Sequence, residues 1–356
     1  MPNFYPLMKP FLWRLDAERS HRLALLAVKA APAWSLPSPG VSVGLETKVW
    51  GRVFSNPVGL AAGFDKHAEA VSALYRLGFG FVEVGGVTFW PQTGNSKPRL
   101  FRLSEDEAVI NRMGLNSVGV DKVALALVDQ RRRLLPGPLA VNLGLNKGSN
   151  NPPSDYAGLA RVLSPLAEVL TINVSSPNTP GLRALQDPRK LMAIVEAVRA
   201  AALSAPDTLK PAVLVKIAPD LKQKDIEDIC ALAIKEGFDG LVVSNTTVDR
   251  PETLLSSAQA ETGGLSGRPL LSKSTELLRE IYSRTEGNVP LVGVGGVSSS
   301  ADAYEKIRAG ASLVQLYSAL VFKGPALVGE IKSGLVESLK ADGFASIMDA
   351  VGADHR

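Results

Sequence analysis

Short apolar runs alternate with longer amphipathic stretches from about residue 57 onward. Eight of the apolar runs predict β-strands, because they are brief and are separated by segments with helical periodicity. The predicted strands cover residues 58–61, 81–87, 139–145, 169–174, 212–217, 240–244, 291–294 and 313–317. The predicted helices between them cover residues 68–77, 188–202, 224–236, 273–282 and 300–309. This pattern favours an α/β fold, a closed (β/α)8 TIM barrel, over an open doubly wound sheet.

Two long insertions interrupt the alternation, at about residues 88–120 and 246–270. We expect both to form loops and short hairpins over the mouth of the barrel. No glycine-rich dinucleotide fingerprint follows the first predicted strand, which is a second argument against an open nucleotide-binding sheet.

The N-terminal residues follow a different pattern. Apolar residues from Phe4 to Leu15 recur with the i, i+3, i+4, i+7 spacing of one helical face, Asp16 is a candidate cap, and residues 17–31 predict a second amphipathic helix. A proline-rich linker follows. Basic residues outnumber acidic ones here; they are Lys9, Arg14, Arg19, Arg22 and Lys29, against Asp16 and Glu18. The two helices fit a membrane interface or a hairpin packed under the barrel, and the pattern leaves both interpretations open.

Composition narrows the classes of function. Of 356 residues, 46% are hydrophobic and 21% charged, which is typical of a soluble globular protein. The net charge of +4 is mild and no nucleic-acid-binding motif is present, so we expect no nucleic-acid partner. The lone Cys230 excludes a disulfide scaffold, and the scattered histidines predict no metal site. We divide the chain into a helical extension (residues 1–40), a barrel (residues 41–340) and a C-terminal tail (residues 341–356).

Polar residues follow several predicted strands directly, where an α/β barrel keeps its chemistry. The clearest case is residues 171–181, in which Asn173, Ser175, Ser176 and Asn178 precede a Pro-Gly turn. A strand capped by a polar turn would also explain this segment taken alone. Further amides lie in or next to other strand ends, namely Asn111, Asn142 and Asn245. Together these side chains suit a planar ligand that is rich in amide groups.

Two lysines and a glycine-rich turn add to this set. Lys66 follows a strand of small residues and suits a carboxylate, although isolated surface lysines usually remain solvated. Lys216 lies in an apolar strand, where it suits a Schiff base or a cation beside a cofactor ring, unless it extends out of the barrel end. Residues 293–297, with Tyr317 and Ser318, suit a phosphate group. We therefore predict flavin mononucleotide (FMN) with a cyclic amide substrate.

At this level of detail the chain resembles the quinone-linked (class 2) dihydroorotate dehydrogenases, from about residue 3 to about residue 335. The matching segments are AAGFDK (61–66), GNSKPRLFR (94–102), NRMGLN (111–116), NVSSPNTPGLR (173–183), KIAPDL (216–221), SNTT (244–247), TGGLSGRPL (262–270) and GVGG (293–296), with Tyr317 and Ser318. The resemblance implies oxidation of (S)-dihydroorotate to orotate in de novo pyrimidine (UMP) biosynthesis. It also implies one FMN per chain as the prosthetic group and a membrane quinone as the electron acceptor.

The resemblance further implies a role for individual residues. Ser176 is the base that removes the C5 proton of dihydroorotate while hydride passes from C6 to the flavin, and Lys216 lies beside the flavin ring. The implied substrate-binding residues are Lys66, Asn111, Arg112, Met113, Gly114, Leu115, Asn173, Asn178, Asn245 and Thr246. The implied FMN-binding residues are Ala62, Gly63, Phe64, Asp65, Lys66, Gly86, Asn142, Asn173, Lys216, Ser244, Gly267, Gly296, Tyr317 and Ser318.

Two features indicate the quinone-linked class. The soluble members of the family use a cysteine where this chain has Ser176, and they lack the N-terminal helical extension. We therefore expect a monomer, bound peripherally to the cytoplasmic side of the cell membrane, with an anionic lipid surface and quinone as partners. One position departs from the family pattern, because Gly86 stands where a hydroxyl residue usually contacts the flavin. Thr88 is a candidate replacement, since alternate residues of a strand share a face.

Three other functions remain open when the resemblance is set aside. A soluble FMN oxidoreductase that acts on a related pyrimidine would use the same site with another electron acceptor. An aldolase without flavin would use Lys216 as a Schiff base and keep the phosphate turn. A non-catalytic ligand-binding barrel is the third. Purified flavoprotein is yellow, whereas an aldolase is colourless.

Overall fold

The computed structural model describes residues 5–31, 43–203 and 210–356. Phe4, at the start of the first predicted helix, and the predicted linker over residues 32–40 lie outside the described residues. The α-helices are Tyr5–Trp13 (α1), Ala17–Ala30 (α2), Val71–Tyr75 (α3), Val120–Arg131 (α4), Pro152–Leu163 (α5), Pro188–Ala202 (α6), Gln223–Lys235 (α7), Leu271–Arg284 (α8), Ser300–Arg308 (α9), Ser318–Lys323 (α10), Leu327–Asp342 (α11) and Ile347–Ala350 (α12). The strands are Thr47–Val49 (β1), Arg52–Phe54 (β2), Val58–Leu60 (β3), Phe81–Val87 (β4), Leu100–Leu103 (β5), Ala108–Asn111 (β6), Leu139–Leu143 (β7), Val169–Asn173 (β8), Ala212–Ile217 (β9), Gly240–Val243 (β10), Gly264–Gly267 (β11), Leu291–Val294 (β12) and Ala311–Leu316 (β13).

Eight of these strands close into a parallel barrel. The order around it is β3-β4-β7-β8-β9-β10-β12-β13, and β13 pairs back with β3. The predicted (β/α)8 TIM barrel is therefore confirmed, and each predicted barrel strand agrees with the structure to within two residues at either end. Because all eight strands run the same way, the polar residues that follow them meet at one end of the barrel.

Two groups of apolar side chains stabilise the barrel. Residues on the outer faces of the strands, such as Val141 and Ile172, pack against the surrounding helices in one large core. Residues on the inner faces, such as Ala140 and Leu214, form a second core inside the barrel. Phe54, from the β1–β2 hairpin, packs edge-on against Phe81 with ring centroids 5.5 Å apart. These aromatic rings fill the end where the strands begin, so a ligand has access from the end where they finish.

The two insertions form a single small sheet over the barrel mouth. Strands β5 and β6 pair antiparallel within the first insertion, and β11 from the second insertion pairs with β6. Loops and a short hairpin were expected in this region, and both are present. The pairing of one insertion with the other was not predicted, because contacts between distant segments leave no local pattern in the sequence.

Helices α1 and α2 form a hairpin beside the same mouth. The predicted cap is confirmed, because Asp16 Oδ1 accepts hydrogen bonds from the backbone N–H groups of Glu18 and Arg19 at 3.0 and 3.1 Å. Glu18 also pairs with Arg99 of the first insertion at 2.7 Å, which fixes the hairpin to the barrel. Several large apolar residues of the hairpin are exposed, namely Leu7, Met8, Phe11, Leu15, Leu23 and Leu26. Within the described ranges, no helix is long and apolar enough to cross a membrane.

The C-terminal residues pack against the outer ring of helices. The backbone N–H of Ile347 donates to the Gly44 carbonyl at 2.7 Å. Arg308 of α9 bonds the Asp354 carboxylate at 2.8 Å. These contacts hold residues 341–356 against the barrel wall, away from its mouth.

Candidate functional site

One cavity of about 1500 Å³ extends from the carboxyl ends of the barrel strands to the space between α1 and α2. Polar residues line its inner part, and apolar residues such as Met8, Leu12 and Ala24 line its outer part. Nearly all of the predicted site residues line this cavity; they are Ala62, Gly63, Phe64, Lys66, Gly86, Asn111, Met113, Gly114, Leu115, Asn142, Asn173, Ser176, Asn178, Lys216, Ser244, Asn245, Thr246, Gly267, Gly296, Tyr317 and Ser318. The fold therefore gathers one site from loops after most of the barrel strands.

Two predicted site residues lie outside the cavity lining. The Arg112 guanidinium points to the second insertion, where it bonds the Glu261 carboxylate at 2.6 Å and the Thr262 carbonyl at 3.2 Å. Asp65 is fully buried, and its carboxylate accepts the backbone N–H groups of Glu69 and Ala70 at 2.9 and 2.8 Å. These two side chains brace the loops that carry ligand-facing residues.

A chain of amide hydrogen bonds crosses the floor of the cavity. Asn142 Nδ2 donates to Glu83 Oε1 at 2.9 Å, and Asn173 Nδ2 donates to Asn142 Oδ1 at 2.9 Å. Asn245 Nδ2 then donates to Asn173 Oδ1 at 3.3 Å. Gln315 Nε2 donates to the other Glu83 oxygen at 2.6 Å. Because a carboxylate only accepts hydrogen bonds, Glu83 determines which way the amide of Asn142 faces, and Asn142 in turn orients Asn173.

Ser176 lies in the loop that follows β8. Its Oγ accepts the backbone N–H of Asn178 at 3.3 Å, and Asn178 Nδ2 donates to Asn111 Oδ1 at 3.1 Å. No carboxylate or imidazole among the described residues hydrogen-bonds the Ser176 hydroxyl. Three residues further on, the hydroxyl of Thr179 is buried and has no hydrogen-bond partner in the part of the chain that the structure describes.

Arg183 connects the Ser176 loop to two neighbouring loops. Its guanidinium donates to the Ser175 carbonyl at 3.0 Å, to the Thr246 carbonyl at 2.9 Å and to the Asp220 carboxylate at 2.8 Å. Burial raises the pKa of Asp220, but hydrogen bonds from Lys273, Thr247 and other donors outweigh burial and hold that pKa below its ordinary value. Asp220 therefore stays ionised, and the three loops are fixed relative to one another.

Two lysines supply positive charge inside the cavity, Lys216 from a buried position and Lys66 from a half-buried one. Lys66 Nζ donates to the Gly63 carbonyl at 2.6 Å, and burial lowers the pKa of Lys66 to about 8. Burial also lowers the pKa of Lys216, while the nearby Glu83 carboxylate opposes that shift. Both lysines line the cavity, so a bound anion would find a positive charge there.

The turn after β12 can be built only with glycine. Gly295 and Gly296 have φ values of +118° and +79°, in the region that disfavours other residues. A Cβ at position 296 would lie 2.5 Å from the Leu271 Cα atom. On the opposite wall, the hydroxyls of Ser266 and Ser318 are 2.8 Å apart. The result is a narrow recess lined by backbone and hydroxyl groups, which suits a phosphate group.

The outer part of the cavity meets the α1–α2 hairpin. His21 Nε2 lies 2.8 Å from the Phe64 carbonyl oxygen, and its ring packs edge-on against Phe64 with centroids 4.9 Å apart. Burial lowers the pKa of His21 to about 4, so this imidazole is neutral at neutral pH. Arg102 donates to the Leu12 carbonyl at 3.2 Å and lies over the Trp13 ring. An apolar passage with a few polar groups therefore connects the hairpin to the floor of the site.

Thr88 does not replace a hydroxyl at Gly86. Its hydroxyl donates to the Trp90 carbonyl at 2.6 Å, and Thr88 is absent from the residues that line the cavity. The register of β4 shifts between Gly85 and Val87, which interrupts the two-residue alternation on which the prediction relied.

Three side chains near the site were missed by sequence reasoning, namely Glu83, Thr179 and Arg183. A signal existed for Glu83, because it is a single carboxylate inside the otherwise apolar strand β4. Thr179 and Arg183 lie within a segment already singled out, but their importance depends on contacts that sequence does not reveal. Among the described residues, no three metal-binding side chains form a group.

Comparisons with known proteins place the chain in a family. The family model described as "Dihydroorotate dehydrogenase" matches residues 44–339. "Dihydroorotate dehydrogenase (quinone)" of Rhodospirillum rubrum is 51% identical, covering 100% of this chain and 96% of that protein. "Dihydroorotate dehydrogenase (quinone), mitochondrial" of Mus musculus is also 51% identical, covering 99% of this chain and 91% of that protein.

A solved structure is similar over nearly the whole length. The crystal structure of the dihydroorotate dehydrogenase of Eimeria tenella in complex with ferulenol has a TM-score of 0.92 and 38% identity, covering 97% of this chain and 99% of that chain. These matches decide against the aldolase and the non-catalytic barrel. The chain belongs to the dihydroorotate dehydrogenase family, in its quinone-linked class.

Proposed function

We propose that this protein oxidises dihydroorotate to orotate with bound FMN and passes the electrons to a membrane quinone. The observation that carries the proposal is the single continuous cavity, whose polar inner part and apolar outer part meet beside the glycine turn. A polar substrate and a lipid-soluble acceptor need such different surfaces, and both must reach the same cofactor.

The residues present fit one FMN. Gly295 and Gly296 line the cavity, and their turn packs so closely on the start of α8 that a Cβ at position 296 would collide with Leu271. Gln315 Oε1 is a buried acceptor that lacks a partner among the described residues, and Gln315 lines the cavity. Lys216 supplies a cation to the same space. We assign the phosphate to the glycine turn with Tyr317 and Ser318, and the ring to the side of the cavity that holds Lys216. When bound, FMN accepts hydride from the substrate and delivers electrons to the quinone.

The substrate groups are recognised by amides and one lysine. Lys66 is half-buried and lines the cavity near the polar amides, so we assign it the substrate carboxylate. Asn111, Asn173, Asn178 and Asn245 then offer donors and acceptors to the ring of a cyclic amide. The amide chain from Glu83 holds Asn173 and Asn245 in one orientation, which spares the cost of ordering them when the substrate binds.

Ser176 is the proposed base. Its oxygen would take the proton from C5 as the hydroxyl proton passes to water in the cavity, and the hydride from C6 would go to bound FMN, so that a carbon–carbon double bond forms. Asn178 holds the Ser176 oxygen by its backbone N–H, and Arg183 holds the loop through the Ser175 carbonyl.

The N-terminal hairpin is the proposed quinone and membrane site. Leu7 and Phe11 are 71% and 70% exposed on the outer face, and the cavity opens between the two helices. Helices of 9 and 14 residues are too short to cross a hydrocarbon core of about 30 Å, but they suit its interface. We place the protein peripherally on the cytoplasmic side of the cell membrane, as a monomer, with an anionic lipid surface beside the basic residues.

The experiment uses the double variant Leu7→Glu, Phe11→Glu. It should still reduce a soluble dye with dihydroorotate, since the barrel is untouched, but it should lose binding to anionic vesicles and turnover with a long-chain quinone in them. Leu134→Glu is the matched control, because Leu134 is 88% exposed on the barrel. Vesicle binding and quinone turnover that survive in the double variant would contradict the membrane assignment. A wild-type protein without FMN, or without dye reduction by dihydroorotate, would contradict the whole proposal.

A further inference from the structure

A fully buried lysine lies directly behind the glycine turn. Lys306, on α9, is 0% exposed, and its Nζ donates to Ser274 Oγ at 2.8 Å and to Thr275 Oγ1 at 2.9 Å. Both hydroxyls belong to the first turns of α8. No ion pair to Lys306 occurs among the residues that the structure describes. A buried ammonium group with only hydroxyl partners is costly to retain, so its position calls for a function.

The contacts of Lys306 lead straight to the proposed phosphate recess. Ser274 Oγ, which accepts from Lys306 Nζ, bonds the Gly295 carbonyl at 2.9 Å. The aliphatic stem of Lys306 packs beside the end of β12, since a Cβ at Gly293 would lie 3.2 Å from Lys306 Cδ. The lysine therefore touches the strand end that enters the turn and the hydroxyl that supports the turn, from the side opposite the cavity.

The charge balance at this place is incomplete. Burial lowers the pKa of Lys306 to about 7, and only Glu305 and Asp302, on its own helix, act against that shift, while Arg279 adds to it. A phosphate dianion bound at the turn would supply the missing negative charge from the other side. Arrangements in which a ligand completes the charge pairing of a buried cation favour binding of the charged ligand over its neutral analogue.

We propose that Lys306 is a positioning residue that places a buried positive charge behind the phosphate turn, so that the protein selects FMN over uncharged riboflavin. This inference rests on the proposed function, because it takes FMN as the ligand. Lys306 touches neither cofactor nor substrate; it acts through Ser274 and the backbone of the turn.

The test compares two flavins and two lysines. Apoprotein prepared from the full-length holoenzyme is titrated with FMN and with riboflavin, and the quenching of flavin fluorescence is followed. Lys306→Met should weaken FMN binding by roughly ten- to a hundredfold, as expected for the loss of one buried charge interaction, and should change riboflavin binding by less than about threefold. Lys332→Met is the matched control: Lys332 is 7% exposed, and its Nζ lies beside Gly78, at the end of the barrel where the strands begin. This control should change neither affinity.

The outcomes separate the possible roles of Lys306. If Lys306→Met weakens both flavins equally, the lysine only braces α8 against α9, and the inference is wrong. If the Met variant fails to fold, Lys306→Gln decides, because an amide can still bond the two hydroxyls without carrying charge. A selective loss of FMN affinity in that variant supports the inference, and unchanged selectivity overturns it. A wild-type apoprotein that binds neither flavin would instead contradict the proposed function.

Discussion

Glu83 offers the sharpest test of how the amide chain is oriented. We compare Glu83→Leu, which removes both acceptor oxygens, with Glu83→Gln, which keeps the size of the side chain and one carbonyl oxygen. In the protein, Asn142 and Gln315 donate to the two Glu83 oxygens at 2.9 and 2.6 Å, and Glu83 is fully buried. Leucine therefore leaves two buried N–H donors without acceptors.

The expected loss in free energy of unfolding follows from these two hydrogen bonds. Each stranded donor costs about 1–3 kcal/mol, so Glu83→Leu should lower the free energy of unfolding by about 2–6 kcal/mol. In Glu83→Gln the amide oxygen can still accept from Asn142, and a rotated Gln315 can accept from the new amide, since its Oε1 has no other partner among the described residues. The glutamine variant should therefore lose about 1–2 kcal/mol, mostly from the charge that faces Lys216.

Two measurements check this ordering. The unfolding midpoint should fall by about 3–8 °C in Glu83→Leu and by clearly less in Glu83→Gln. Orotate affinity should fall in the leucine variant only, because Asn142 and then Asn173 are free to turn when the carboxylate is gone. Equal stability and equal orotate affinity of the two variants would refute the argument that Glu83 sets the direction of the amides.

Three further predictions concern other parts of the site. Ser176→Ala should slow flavin reduction by dihydroorotate by about 10²–10⁴ while orotate still binds, measured by anaerobic stopped flow; an unchanged rate would move the base to Ser175. Orotate affinity should be constant below pH 8 and fall as the pH rises through about 8. The reason is that burial lowers the pKa of Lys66 to about 8, so that the lysine is charged only below that pH. An orotate affinity that persists well above that pH would remove Lys66 from carboxylate binding. Gly296→Ala should yield protein with little FMN, since its Cβ would meet Leu271 Cα at 2.5 Å. Gly237→Ala, also at positive φ but with open space around it, should retain FMN as measured by flavin absorbance. Full FMN occupancy in the Gly296 variant would place the phosphate elsewhere.

The barrel itself was predictable from local patterns. Each buried strand is a short apolar run, and each helix has one apolar face, so the hydrophobic periodicity reports both without knowledge of the fold. The parallel order of the strands then places Asn173, Ser176 and Asn245 at one end, because polar residues follow each strand in the sequence. The N-cap at Asp16 was equally local, since it depends on residues two and three positions away.

The arrangement of the site depended on contacts between distant segments. The pairing of β6 with β11, the ties from Arg183 to three loops, and the bulge that turns Thr88 away from Gly86 all arise where separate elements meet. Arg112 and Asp65 belong to recognisable motifs, yet their side chains serve neighbouring loops.

The charged residues show most clearly what local sequence patterns determine and what depends on contacts between distant segments. The sequence by itself determined the kind of segment that holds each charged residue. Glu83 and Lys216 lie in predicted strands, Lys306 lies in a predicted helix, and Lys66 follows a predicted strand. Only the tertiary structure decided which of them face one another. Glu83 lies near Lys216 on the cavity floor, whereas Lys306 lies behind the glycine turn with two hydroxyls and no carboxylate among its described hydrogen bonds. The physical reason is that electrostatic interactions depend on separation in space and on burial, and neither quantity is a local property of the chain.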